Sequence, residues 1–144
     1  MQTKRYKPAV DKLFWIIFIP TNAFLLCAMI IPAFFDLKAF FLMLPIFLFV
    51  NYFFLSPLFG YVELREKELF IKYGFFMKKQ IPYGKIRELT KERRFISESM
   101  MSLKNAMEHI NVKYNKFDVT VISVKNNDEL IKEINAIRQK RCLL

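Results

Sequence analysis

The sequence predicts a two-helix transmembrane hairpin followed by a small α+β domain, in which a strongly bent antiparallel sheet is closed by a C-terminal helix. Three observations carry that reading. Two long runs near the start lack any charged residue, the character changes at Gly60 to charged and alternating sequence, and the last segment has helical periodicity. The 144 residues divide accordingly into a basic N-terminal segment (1–12), two spans (13–35 and 39–59) and a domain over 60–144.

Leu13 to Phe35 and Ala39 to Phe59 contain no Asp, Glu, Lys or Arg. As helices they would reach about 34 and 31 Å, against a hydrocarbon core of about 30 Å. A buried helix of a soluble protein would need a large core around it, and the remaining chain is too short to build one. Asp36, Leu37 and Lys38 leave room only for a tight turn. Lys4, Arg5, Lys7 and Lys12 precede the first span, Lys38 alone lies in the turn, and Arg65, Lys67 and Lys72 follow the second. This bias predicts a two-span protein of the cell membrane with both termini in the cytoplasm.

The first apolar run is too long for a cleaved signal peptide. Leu26 stands where a lipoprotein attachment box needs a small residue before Cys27, and Cys142 is one position short of a prenylation box. With one cysteine in a span and one in the tail, neither a disulfide framework nor a metal cluster is expected.

Pro20, Pro32, Pro45 and Pro57 are expected to kink the spans. Asn22 and Asn51 fall at matching depth on either side of the turn and are a candidate interhelix amide pair; the alternative is that each bonds its own backbone or reaches the headgroups. The spans hold 12 of the 17 phenylalanines and no glycine precedes Gly60. Packing by aromatic bulk is therefore expected in place of a GxxxG crossing.

Beyond Gly60, Tyr61–Leu64 and Leu69–Tyr73 read as a hairpin connected by Arg65-Glu66-Lys67-Glu68. Phe75–Ile81 and Lys85–Thr90 read as two more strands, separated by Pro82-Tyr83-Gly84. Lys91–Ser102 has no clear period and reads as a loop. Ile110, Val112 and Tyr114 alternate with Asn111 and Lys113, and Asp118–Val124 is rich in β-branched residues, which predicts a hairpin turning at Asn115-Lys116. Asn126 is a candidate N-cap with Glu129 three residues on, and Leu130, Ile131, Ile134 and Ile137 form one apolar stripe. Six strands or so and one helix are economically solved by a bent sheet with the helix plugging its open end.

Several phrases resemble, in order and spacing, bacterial pleckstrin-homology-like domains of the YyaB-like group, which includes the sublancin immunity protein. They are Tyr61-Val62-Glu63-Leu64, Leu69 to Gly74, Ile81-Pro82-Tyr83 with Ile86, the family-like motif Ser99-Met100-Met101-Ser102-Leu103-Lys104, Ile110 to Tyr114, and Val121-Ile122-Ser123. The resemblance implies a PH-like split barrel of about six to seven antiparallel strands with a C-terminal helix, and a role in bacteriocin immunity. Two departures stand out: the step Asn105–His109 is longer than the family's, and Val124 replaces a proline before the helix.

Catalysis finds little support in the residues. There is one histidine, no Gly-rich phosphate cradle and no paired-ligand spacing. His109 is expected near a strand edge in an ordinary surface or half-buried role, and Glu88, Glu92 and Glu98 alternate with Lys91, Arg93 and Arg94 in a solvated run. No catalytic, metal or cofactor site and no small-molecule substrate is expected. Residues 61–144 hold 18 Lys and Arg against 11 Asp and Glu. For a tethered domain the nearest polyanion is the anionic headgroup layer, not nucleic acid. Lys78, Lys79, Lys85, Arg87, Arg93 and Arg94 are the candidates for facing it, the alternative being charges that keep the domain soluble. Two roles follow as expectations: self-protection against a membrane-active bacteriocin peptide, or a membrane-tethered module that binds a partner or the lipid surface.

Overall fold

The computed structural model describes residues 3–96, 99 and 102–142. Its most consequential element lies where no strand was expected: Lys4–Tyr6 forms β1. There follow helices α1 (Lys12–Ala33) and α2 (Leu37–Leu55) and a 3-10 turn at Ser56–Phe59. The domain continues with β2 (Tyr61–Leu64), β3 (Glu68–Lys72), β4 (Lys78–Pro82), β5 (Ile86–Arg93), β6 (Ser102–Leu103), β7 (Glu108–Tyr114), β8 (Asp118–Ile122) and α3 (Asn127–Cys142).

The two apolar helices are long enough to cross a bilayer and almost bare. Only Met29 is buried along α1 and nothing is buried along α2, so the domain's core does not cover them. Their mutual packing is aromatic near the base, where Phe14 and Phe18 meet Phe54 at ring separations of 6.4 and 5.8 Å. The Asp36 side chain caps α2 by accepting from the Lys38 N–H at 2.9 Å. The candidate Asn22–Asn51 pair is not formed. Asn22 donates to Phe18 O at 3.1 Å and Asn51 to Phe47 O at 2.9 Å, each within its own helix. In both cases the amide N–H finds an acceptor one turn back in its own helix, so it does not need the partner helix.

The strands form two four-stranded sheets, ordered β1-β2-β3-β4 and β5-β7-β8-β6, which do not join into a closed barrel. All pairings are antiparallel except β6 with β8. Three boundaries differ from the sequence reading. Phe75–Met77 belong to a tight turn, closed by the Tyr73 N–H on Met77 O at 2.9 Å, and β4 starts at Lys78. The stretch expected as loop from Lys91 instead continues β5 to Arg93, and Ser102–Leu103 add β6. Glu98, Met100 and Met101 lie outside the described residues.

The core sits between the sheets. Val62, Leu64, Leu69 and Ile71 from the first face Ile110, Val112 and Ile122 from the second. Leu130, Ile134 and Ile137 of α3 are buried in the same cluster, with Ile131 packed against it. This is the stripe expected to plug the open end. The predicted β7–β8 turn also forms, with Asn115 in the left-handed region at φ 51°, a conformation Asn tolerates better than most residues.

Candidate functional site

The junction between helices and domain is built from both sides of the hairpin. On the N-terminal side, β1 lies along β2, with Arg5 opposite Glu63 and Tyr6 opposite Val62. The next residues leave the first sheet and run along the second. Ala9 N–H donates to Ser123 O at 3.0 Å, Lys125 N–H to Lys7 O at 3.3 Å, and Asp11 N–H to Asn105 O at 3.0 Å. The Asp11 carboxylate then accepts from Met107 N–H at 2.8 Å, immediately before α1 begins. The step at Asn105–His109 is thus where Val10 and Asp11 dock. Lys4 adds a tie to α3, its ammonium meeting Glu129 and Glu133 at 2.5 Å each.

On the C-terminal side the chain leaves α2 and meets the domain at two glycines. A Cβ on Gly74 would fall 1.9 Å from the Ser56 hydroxyl, and one on Gly60 would fall 2.2 Å from Leu103 and 2.5 Å from the Lys72 carbonyl. Backbone approaches this close leave no space for a side chain. The β3–β4 turn consequently lies against the helix end: Phe75 stacks on Tyr52 at 5.9 Å and meets Phe59 at a tilt at 4.8 Å, and Phe76 is 6.3 Å from Tyr52. On the other flank, Phe95 shares a cavity of about 200 Å³ with Phe14 and Ile17 at the start of α1. Lys104 holds the chain there, donating to Phe95 O at 3.0 Å and to Arg94 O. Burial pushes its ammonium below the usual lysine range.

The six basic candidates are distributed over three places. Lys78 is exposed beside the aromatic turn, in the row of Lys72 and Tyr61, while Lys79 points to the opposite face and lies over the Tyr114 ring at 4.7 Å. Arg93 ends β5 and Arg94 follows it just ahead of Phe95, with Arg94 Nε 3.6 Å from the Glu92 carboxylate. Lys85 and Arg87 stand at the β7–β8 turn, where Lys85 O accepts from Asn115 N–H at 3.1 Å and Arg87 donates to Lys116 O at 3.0 Å.

Of the family-like motif, Ser99 is half-buried, Ser102 and Leu103 pair with Val121 and Ile122, and Leu103 is fully buried against Gly60. Asn126 directly precedes α3 and donates to the Glu129 carboxylate at 3.0 Å.

The outer face of the first sheet carries a charged and aromatic ladder. Glu63, only 8 % exposed, accepts from Arg5 at 3.0 and 3.2 Å and from Arg65 at 3.0 Å. Arg5 in turn covers the Tyr61 ring at 4.3 Å and Arg65 covers Phe70 at 3.9 Å. His109 is the second residue of β7, buried to 1 % exposure, with Nδ1 2.9 Å from Met107 O; it is neither at the surface nor half-buried as expected. Among the described residues no group of three His, Cys, Asp or Glu side chains is placed to hold a metal ion.

The family model for the bacterial PH domain matches residues 60–138, from the glycine after the hairpin to the last turns of α3. The chain belongs to that family. Comparison with curated proteins and with solved structures returns no match. The matched segment of the bacterial PH domain covers β2 to β8 among the described residues; β1, on the far side of the hairpin, is added to it from outside. Sequence reasoning missed β1 and the two apolar tips, Phe75–Met77 and Phe95–Ile96. The tips had a signal: each is a short apolar group next to basic residues, Lys78 and Lys79 after the first and Arg93 and Arg94 before the second.

Proposed function

We propose that this chain is a two-span membrane protein that holds its bacterial PH domain against the inner, anionic face of the cell membrane, with both termini in the cytoplasm, and that it works by binding rather than by catalysis. One observation carries the reading. The strands on either side of the hairpin, β1 and β2, pair in one sheet, so both ends of an inserted hairpin lie on one side. The concentration of Lys and Arg on that side supports the cytoplasm. The nearly uncovered apolar surface of α1 and α2 supports lipid around them. Tags at the two termini are expected to resist protease added to intact cells and to be cut together once cells are opened. Digestion of either tag in intact cells overturns the topology.

The biological role we infer is self-protection against a membrane-active bacteriocin. The ordered phrases that resemble the YyaB-like group support it, and so does a domain that the proposed topology holds where such a peptide would act. Expression in a sensitive strain should reduce killing by at least one peptide in a panel of leaderless and glycosylated bacteriocins. Unchanged killing across that panel counts against immunity and leaves a membrane-held module that binds the lipid surface or a partner.

A further inference from the structure

Among the described residues, and apart from the lone Phe117 at the β7–β8 turn, the domain groups exposed large apolar side chains in two places that neither its core nor the hairpin uses up. Phe75, Phe76 and Met77 are 45, 83 and 59 % exposed at the β3–β4 turn, and Phe95 and Ile96 are 64 and 80 % exposed beyond β5. Isolated apolar residues on a surface need no explanation, but grouped ones beside an apolar anchor do. Each group stands at the base of one helix. Phe75 and Phe76 lie against Tyr52, which is seven residues before the end of the apolar stretch Leu37–Phe59. At about 1.5 Å per helical residue that is roughly 10 Å inside it. Phe95 shares its cavity with Phe14 and Ile17, both within the uncharged first run.

We propose that the two tips are wedges that insert into the lipid through which the hairpin passes, so that the domain sits on the bilayer at three points: the hairpin, Phe75–Met77 and Phe95–Ile96. The proposal rests on the reading that α1 and α2 span the membrane. The occupant of this surface is lipid because the apolar surface of the tips continues that of the helices. Its headgroups are anionic because basic residues rim each tip: Lys72 and Lys78 around the first, Arg93 and Arg94 before the second. Phenylalanine and methionine at this depth gain from leaving water, and the short turn at Tyr73–Met77 keeps its backbone hydrogen bond while doing so.

The single tryptophan, Trp15 in the first turn of α1, makes the test separable from the reading beneath it. The full-length protein is reconstituted into phosphatidylglycerol vesicles containing brominated phosphatidylcholine. Quenching is compared for the wild type and for three variants in a Trp15→Phe background: Phe76→Trp, Ile96→Trp and Lys67→Trp. Lys67 lies in the β2–β3 turn, at the opposite end of β3 from the first tip, and reports water. The expected result is that brominated lipid quenches the tryptophans at 76 and 96 as strongly as Trp15, while the one at 67 answers only to aqueous acrylamide. If Trp15 is quenched but positions 76 and 96 behave like 67, the wedges are overturned and the span stands. If Trp15 itself is not quenched, the spanning reading fails and the wedges fail with it. Position 76 is exposed enough for indole to fit without repacking.

Discussion

Glu63 is held beneath two guanidinium groups, and its charge is part of the fold. The hydrogen bond from Arg65 holds the carboxyl below the usual carboxylate range; desolvation opposes this and Arg5 adds to it. A carboxyl with a depressed folded value contributes stability above its unfolded value, near 4.5, and loses it as pH falls through the folded one. The unfolding midpoint in detergent is therefore expected to drop more steeply below that pH for the wild type than for Glu63→Gln, with the variant already less stable at neutral pH. Parallel curves would remove Glu63 from the pH response.

Single residues were also where the sequence was hardest to read. Asn111 alternates with Ile110 and Val112, which alone does not say what covers its side chain. It is 1 % exposed, with neither side-chain atom hydrogen-bonded to protein. Alternation assigns a residue to a face but does not say whether that face is covered. The two asparagines of the spans make the same point: equal depth made a pair plausible, but a local backbone acceptor satisfied each first.

At the scale of elements, legibility followed length and periodicity. The apolar runs, the β7–β8 hairpin and the stripe of α3 each repeat one pattern often enough to be read. β6 has two residues and β1 has three, too few to establish alternation, and both exist because a neighbour supplies the ladder. The basic character of Lys4 and Arg5 fits the positive-inside rule and equally fits salt bridges with Glu129, Glu133 and Glu63; composition alone could not separate these uses. Gly60 marks the end of an element by close approach. Its φ of −74° suits any residue, but a methyl group there would strike Leu103 and the Lys72 carbonyl. Gly60→Ala is expected to cost about 1–3 kcal/mol, the usual range for overpacking, read as a lower midpoint in thermal unfolding of the detergent-solubilised protein. An unchanged midpoint would mean that the junction is looser than its distances imply.

For the whole molecule, the domain boundary is not a point along the chain. The family match begins at Gly60, yet the folded unit also takes in residues 4–11 from beyond the helices. Deleting residues 1–6 removes β1, the buried Tyr6 and the Lys4 bridges to α3, and uncovers the edge of β2. Such a truncation, with the hairpin and matched domain intact, is expected to lower the unfolding temperature and raise aggregation on size-exclusion chromatography. Wild-type behaviour would reduce β1 to an ornament.

That edge strand leaves the ribosome ahead of the hairpin and must wait until both helices have been made before β2 arrives to receive it. If α1 and α2 span the membrane as proposed, a nascent chain whose second helix slipped out of the bilayer would leave the two strands on opposite sides, and the sheet could not close. On the proposed topology, closure of the first sheet therefore depends on both helices being threaded together.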